Sequence, residues 1–232
     1  ENITYIHKNG SNYQLVMKNI QTKKVIVLID DQWSKTSPKW LNRETIIFNR
    51  CKDKQCQIIK YSLNGTQEII HSTIHQLSQS EIINTQTPQL VFSEIKKGNP
   101  FELLSLDLQT RNITLLKEQI KELPDVSVSP IYSKTANTLF VIGYNVLTPT
   151  IYAFNLDSGE KVFSYSNFQR VRTIARGFND NELVISGTSS ETTGIWLLNT
   201  ETHTLDLLLR KSGVEVIAEA IALKSSNTIY YS

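Results

Sequence analysis

Cys51 and Cys56, the chain's only two cysteines, bracket Lys52-Asp53-Lys54-Gln55. A short polar stretch between two apolar runs predicts a hairpin tip. Its flanking residues then face each other across the strands at a separation that a disulfide can span. A disulfide is therefore expected, and it implies an oxidising compartment. So short a loop adds only about 2 kcal/mol through chain entropy, so the bridge mainly locks the tip. The competing state is a pair of reduced surface thiols. A zinc site is not expected, because two ligands without a neighbouring histidine fall short of a zinc set.

His71 and His75 would share a face if the segment were helical, but they lie where a strand pattern runs into a loop, so no metal is expected there. The chain has four histidines and carries neither a Gly-x-Ser-x-Gly elbow nor a glycine-rich phosphate loop. No enzymatic activity and no cofactor are expected from such a sequence. Trp33, between the first two repeats described below, is a candidate aromatic anchor for a partner. The alternative is that it caps the core; Trp40 and Trp196 fall on strand positions and are read as core. Arg170, Arg172 and Arg176 bracket a strand entry and could grip an acidic peptide or carboxylate, against the plainer alternative of a solvated or paired face. Asn2-Ile3-Thr4, Asn64-Gly65-Thr66 and Asn112-Ile113-Thr114 match the glycosylation sequon, a frequent coincidence in an Asn- and Thr-rich chain.

The elements that must position these residues follow from a repeat. A nearly continuous apolar run recurs at Ile3–Ile6, Thr45–Phe48, Leu90–Phe92, Leu139–Ile142, Leu183–Ile185 and Ile229–Tyr231. Its period of about 40 to 50 residues is that of propeller blades. Each run is β-branched, aromatic and too short for a helix, and being apolar on both sides it suits a strand between two layers. A second strand follows each of the first five runs, as in Gln57–Tyr61 and Ile195–Leu198. Turns such as Leu63-Asn64-Gly65-Thr66, Leu106-Asp107-Leu108-Gln109-Thr110 and Leu198-Asn199-Thr200-Glu201-Thr202 come next, with turn-forming side chains. A more polar strand after each turn suits an outer edge. A short strand with a Ser-Pro start, at Ser37-Pro38 and Ser129-Pro130, supplies the fourth, proline marking the strand's beginning.

The predicted fold is an all-β propeller of four-stranded blades, five to six in number. The chain reads as a single domain over 1–232, with repeats at about 1–36, 37–80, 81–126, 127–170 and 171–212 and a partial one at 213–232. Lys plus Arg number 24 against 22 Asp plus Glu, and this balance gives no reason to expect nucleic-acid binding. No apolar stretch is long enough for a membrane helix. Because the chain opens on Glu1, any anchor is expected upstream.

Ser37-Pro38-Lys39-Trp40 through Phe48 and Ser129-Pro130-Ile131-Tyr132 through Phe140 resemble the repeat of TolB-like propellers, and Leu156-Asp157-Ser158-Gly159-Glu160 resembles that family's Asp-x-x-Gly-Glu turn. The resemblance extends over essentially the whole chain, in a degenerate form that lacks the turn Asp and Gly in both copies. It implies a binding domain outside the cytoplasm, with a protein, peptide or small molecule on a propeller face. It also implies a periplasmic sensory part, tethered to the inner membrane, of a regulator of the CadC or ToxR type. The propeller of a prolyl-oligopeptidase-like peptidase, or a stand-alone envelope scaffold, is the rival expectation.

Overall fold

A computed structural model describes residues 2–83, 87–96, 101–145, 148–210, 220–223 and 228–231. The chain forms two compact units, Glu1–Leu115 and Leu116–Ser232. Each is built of antiparallel sheets whose strands follow one another in chain order.

In the first unit, β1 (Asn2–Asn9), β2 (Asn12–Asn19) and β3 (Val25–Asp31) make a three-stranded sheet. Next come β4 (Ser34–Asn42), β5 (Thr45–Lys52), β6 (Gln55–Ser62) and β7 (Gln67–Thr73). The third sheet is β8 (Gln76–Ile83), β9 (Gln89–Ile95), β10 (Phe101–Asp107) and β11 (Ile113–Leu115). The runs Thr45–Phe48 and Leu90–Phe92 lie on second strands and are covered on both sides, whereas Ile3–Ile6 lies on β1 and is half-buried. Ile46 and Phe48 pack with Leu15 and Ile29 of the first sheet. Ile47, between them and facing the other way, packs with Leu90 and Phe92 of the third.

The second unit opens with α1 (Leu116–Gln119), whose Leu116 is buried along with the following Ile120 and Leu123. Two four-stranded sheets follow: β12 (Ser127–Ser133), β13 (Thr138–Asn145), β14 (Thr148–Asn155) and β15 (Lys161–Tyr165), then β16 (Arg170–Arg176), β17 (Glu182–Ser189), β18 (Thr192–Asn199) and β19 (Leu205–Arg210). A pair, β20 (Ala220–Leu223) and β21 (Thr228–Tyr231), ends the described strands. The rest of the partial repeat expected at 213–232 lies outside the described residues. Ile142, Ile151, Phe163, Phe168, Ile185 and Trp196 share one core between the two large sheets.

The Ser-Pro signal marks something other than a strand start. Pro38 and Pro130 lie inside β4 and β12, at bulges where Ser37-Pro38 and Ser129-Pro130 each face a single residue of the neighbouring strand. Ser37 and Ser129 have φ of 52° and 56°. The missing proline N–H falls where the ladder is already interrupted, which is why proline is tolerated in mid-strand. β8 has the same bulge at Ser78-Gln79 without a proline, and β16 has one at Arg172.

Four of the five turns into the outer strands share one mechanism, the turn from β6 to β7 being the exception. Asn19, Asp107, Asn155 and Asn199 each accept two backbone N–H bonds through Oδ1, from the residues two and three positions on. In the fourth sheet the capping residue is thus Asn155 and not Asp157, whose own N–H is one of the donors. Gly159 closes that turn at φ 72°, and a Cβ there would lie 2.7 Å from the Gln119 carbonyl oxygen. Any side chain at 159 would meet both left-handed strain and α1.

Candidate binding site

The link between β3 and β4 is only Gln32-Trp33, and charged side chains hold it. The Trp33 N–H donates to Asp31 Oδ1 at 2.8 Å. Lys35, with a side chain 0% exposed, bonds Asp31 and donates to the carbonyls of Tyr13 at 2.8 Å and Trp33 at 3.0 Å. All three ammonium donors are thereby satisfied, as a buried charge requires. On the edge beside the link, Asp30 accepts from Asn12 at 2.9 Å and Gln14 at 2.8 Å. These bonds, Gln14's first, hold its carboxyl below the usual range.

Trp33 is half-buried, and its ring lies under the Arg50 guanidinium, 4.7 Å from Cζ to the ring centroid. Arg50 donates from Nε to Gln57 at 2.9 Å and from Nη1 to Gln67 at 3.1 Å. Partial burial lowers its pKa, with Asp31 opposing the shift. Lys52 shares the strand face of Arg50 and reaches Gln32 at 3.4 Å.

Cys51 points to the other face of β5 and is bridged to Cys56, its direct cross-strand partner, with Cα atoms 4.1 Å apart. The bridge closes a hairpin whose two-residue tip contains Asp53 at φ 54°. Cys56 is buried and Cys51 packs against the same core as Ile58 and Phe92. The disulfide therefore anchors the back of the strand whose front carries Arg50 and Lys52.

The structure does not gather the three candidate arginines. Arg170 and Arg176 are the first and last residues of β16, about 20 Å apart at the usual rise per residue. Arg172 occupies the bulge, and all three are exposed. Trp196 is core, and its indole N–H reaches the Gly187 carbonyl at 3.4 Å. Trp40 packs against the first core of its unit. His71 ends against Phe92, with ring centroids 5.6 Å apart. No group of three or more His, Cys, Asp or Glu side chains is placed to hold a metal among the described residues.

Sequence reasoning missed Lys35, Arg50 and Lys52. A signal for two of them was available: once Cys51 and Cys56 pair, alternation puts Arg50 and Lys52 together on the opposite face, opposite Gln57 and Gln55.

Successive antiparallel four-stranded sheets with apolar second strands covered on both faces define the β-propeller class, and the chain has that fold. It is similar to TolB from Acinetobacter baumannii at 16% identity and a TM-score of 0.75, over 93% of this chain and 54% of that one. It is also similar to a putative TolB from Agrobacterium tumefaciens, with 14% identity, TM-score 0.73, and coverage of 94% and 76%. A third likeness is to puromycin hydrolase, solved as an S511A mutant with PGG, at 12% identity and TM-score 0.61, over 95% of this chain and 37% of that one. The chain spans about half the length of the Acinetobacter TolB. No protein-family model and no curated protein matches the sequence.

Proposed function

We propose that this is a non-catalytic binding propeller that works outside the cytoplasm and recognises a protein, peptide or small ligand through loops of the first unit. The observation that carries it is the Cys51–Cys56 bridge set directly behind a strand that presents Arg50 to Trp33. The bridge needs an oxidising compartment to persist. Bridge and Lys35 together stiffen the hairpin and the link, and a rigid support lowers the entropy lost when loops bind a partner. The likeness to two TolB propellers supports the same placement. Within it, the role proposed is the sensory part of a membrane-anchored bacterial transcriptional regulator whose anchor and DNA-binding domain are supplied by other segments.

Two measurements test this. Cells are acid-quenched and their thiols alkylated before and after reduction; Cys51 and Cys56 should resist label until reduced. Free labelling of both in the living cell would overturn the extracytoplasmic placement. A photo-crosslinking residue is then placed at Gln32, beside Trp33, or at Asn64, at the other end of the second sheet. Adducts are expected from position 32 and not from 64, and equal yields from both would overturn the assigned face.

The likeness to puromycin hydrolase supports a second role, a propeller attached to a peptidase. The full-length gene separates the two: a Ser-centred elbow downstream means peptidase, and a winged helix with a membrane span upstream means regulator.

A further inference from the structure

We infer that Trp33, Arg50 and Lys52 form a carboxylate-binding site, so that the ligand of this face is a peptide presenting either an acidic side chain or a free C-terminal carboxylate. This rests on the binding role proposed above and names its ligand chemistry.

The inference follows from where the charges go. Asp31 is taken by the buried Lys35 ammonium, and Asp30 by the amides of Asn12 and Gln14. Arg50 and Lys52, by contrast, bond only to neutral amides, those of Gln57, Gln67 and Gln32. Neither forms a direct ion pair among the described residues; Asp31, bonded to Lys35, acts on Arg50 without a direct bond to it. The guanidinium has five N–H donors, of which Nε and Nη1 supply the two bonds described; among the described residues no bond uses the Nη2 donors. One face of it is already covered by the Trp33 ring. A partly desolvated, oriented fork with a second cation two residues along the strand is the arrangement a carboxylate satisfies by charge-assisted bonds.

The indole adds more than a cover. It fixes the guanidinium plane, so little side-chain freedom is lost when a ligand docks, and its rim offers apolar contact to the peptide backbone beside the carboxylate. The flanking glutamines take Nε and one Nη1 donor without neutralising the charge. Glutamate at either position would have quenched the site.

The test is a titration by two-dimensional NMR of the whole domain, following the Arg50 Nε–H and Trp33 Nε1–H signals. Three capped alanine-rich peptides are used: one with a central glutamate and an amidated end, one with a free C-terminus, and one with glutamine and an amidated end. At least one carboxylate peptide should shift both signals with millimolar affinity, and the comparison of the first two says which source fits. The glutamine peptide should leave them unmoved. Arg50→Gln should weaken binding about tenfold or more, and Lys52→Gln less, with both variants keeping the wild-type melting temperature within a few degrees. Equal response to the glutamine peptide, no response up to about 20 mM of any peptide, or unchanged affinity in Arg50→Gln would each overturn the inference. Crosslinking from position 32 without any carboxylate response would overturn it too, while leaving the broader binding role standing.

Discussion

Two links between an outer strand and the first strand of the next sheet carry an aromatic residue, and they use it in opposite ways. Between β3 and β4 it is Trp33, half-buried under a guanidinium. Between β15 and β16 it is Phe168, 1% exposed, packed against Trp196 at 6.2 Å and Tyr165 at 5.9 Å between ring centroids. The difference lies in what holds the backbone. In the first unit Asp31 and Lys35 tie the link down, which frees its aromatic ring for the surface. In the second the link from 166 to 169 is held by burial, supported by Ser189 donating to the Asn167 carbonyl at 2.9 Å. A link can thus be fixed by polar groups or by a plug, and only the first method leaves an aromatic face available.

Phe168→Ala should therefore have the largest effect on stability. It leaves a cavity in the core shared by two sheets, and a loss of about 3 to 5 kcal/mol is expected by chemical denaturation. A loss under about 1 kcal/mol would mean that the link is held by its hydrogen bonds alone, and the contrast would collapse. Lys35→Ala attacks the polar solution. It strips Asp31 and two carbonyls of a donor, and about 2 to 3 kcal/mol should be lost. It should also release Trp33, visible as narrowing of the indole line in NMR.

Reducing the Cys51–Cys56 bridge should cost about 2 kcal/mol, the entropy of a short loop. Carboxylate affinity should fall with it, because the strand that presents Arg50 loses its anchor. An unchanged affinity in the reduced protein would show that the hairpin is rigid without the bridge.

The blades were legible because their signal is periodic: an apolar run buried on both sides leaves the same trace every time, as Ile46 and Ile47 show by facing different cores. Ser-Pro was visible but misplaced, since a proline tolerated at a strand start and one tolerated in a bulge look alike until the register is known. The cystine was legible from spacing alone. Trp33 could be named, but not what covers it. Its neighbours Lys35 and Arg50 come from separate strands, and no local pattern says that one ammonium will be buried while a guanidinium forms no direct ion pair among the described residues.

The first unit also carries a titrating group that bears on the comparison. His71 has a lowered pKa, chiefly because burial disfavours its charged form, with Glu94 working against the shift. The folded state then binds fewer protons than the unfolded one, so stability should decline as pH falls below about 6.5, through the folded pKa. His71→Phe keeps a ring against Phe92 and should flatten the stability profile between about pH 7 and 5. An unaltered profile would assign the acid response elsewhere.

The smallest stability effect is expected at Trp33, and it is the one that decides the comparison. Trp33→Ala removes a half-buried ring and its cation–π contact, at about 1 kcal/mol or less. Lys35 still holds the Trp33 carbonyl and Asp31 still accepts the residue 33 N–H, so the backbone should stay in place. Arg50, no longer stacked, should gain freedom and bind carboxylate less well, through entropy more than through lost charge. The measurement is a pair: a denaturation curve close to wild type, and a titration in which affinity falls several-fold with the salt dependence unchanged. Should Trp33→Ala instead cost as much as Phe168→Ala, the ring is a plug like its counterpart, and the surface role assigned to it fails.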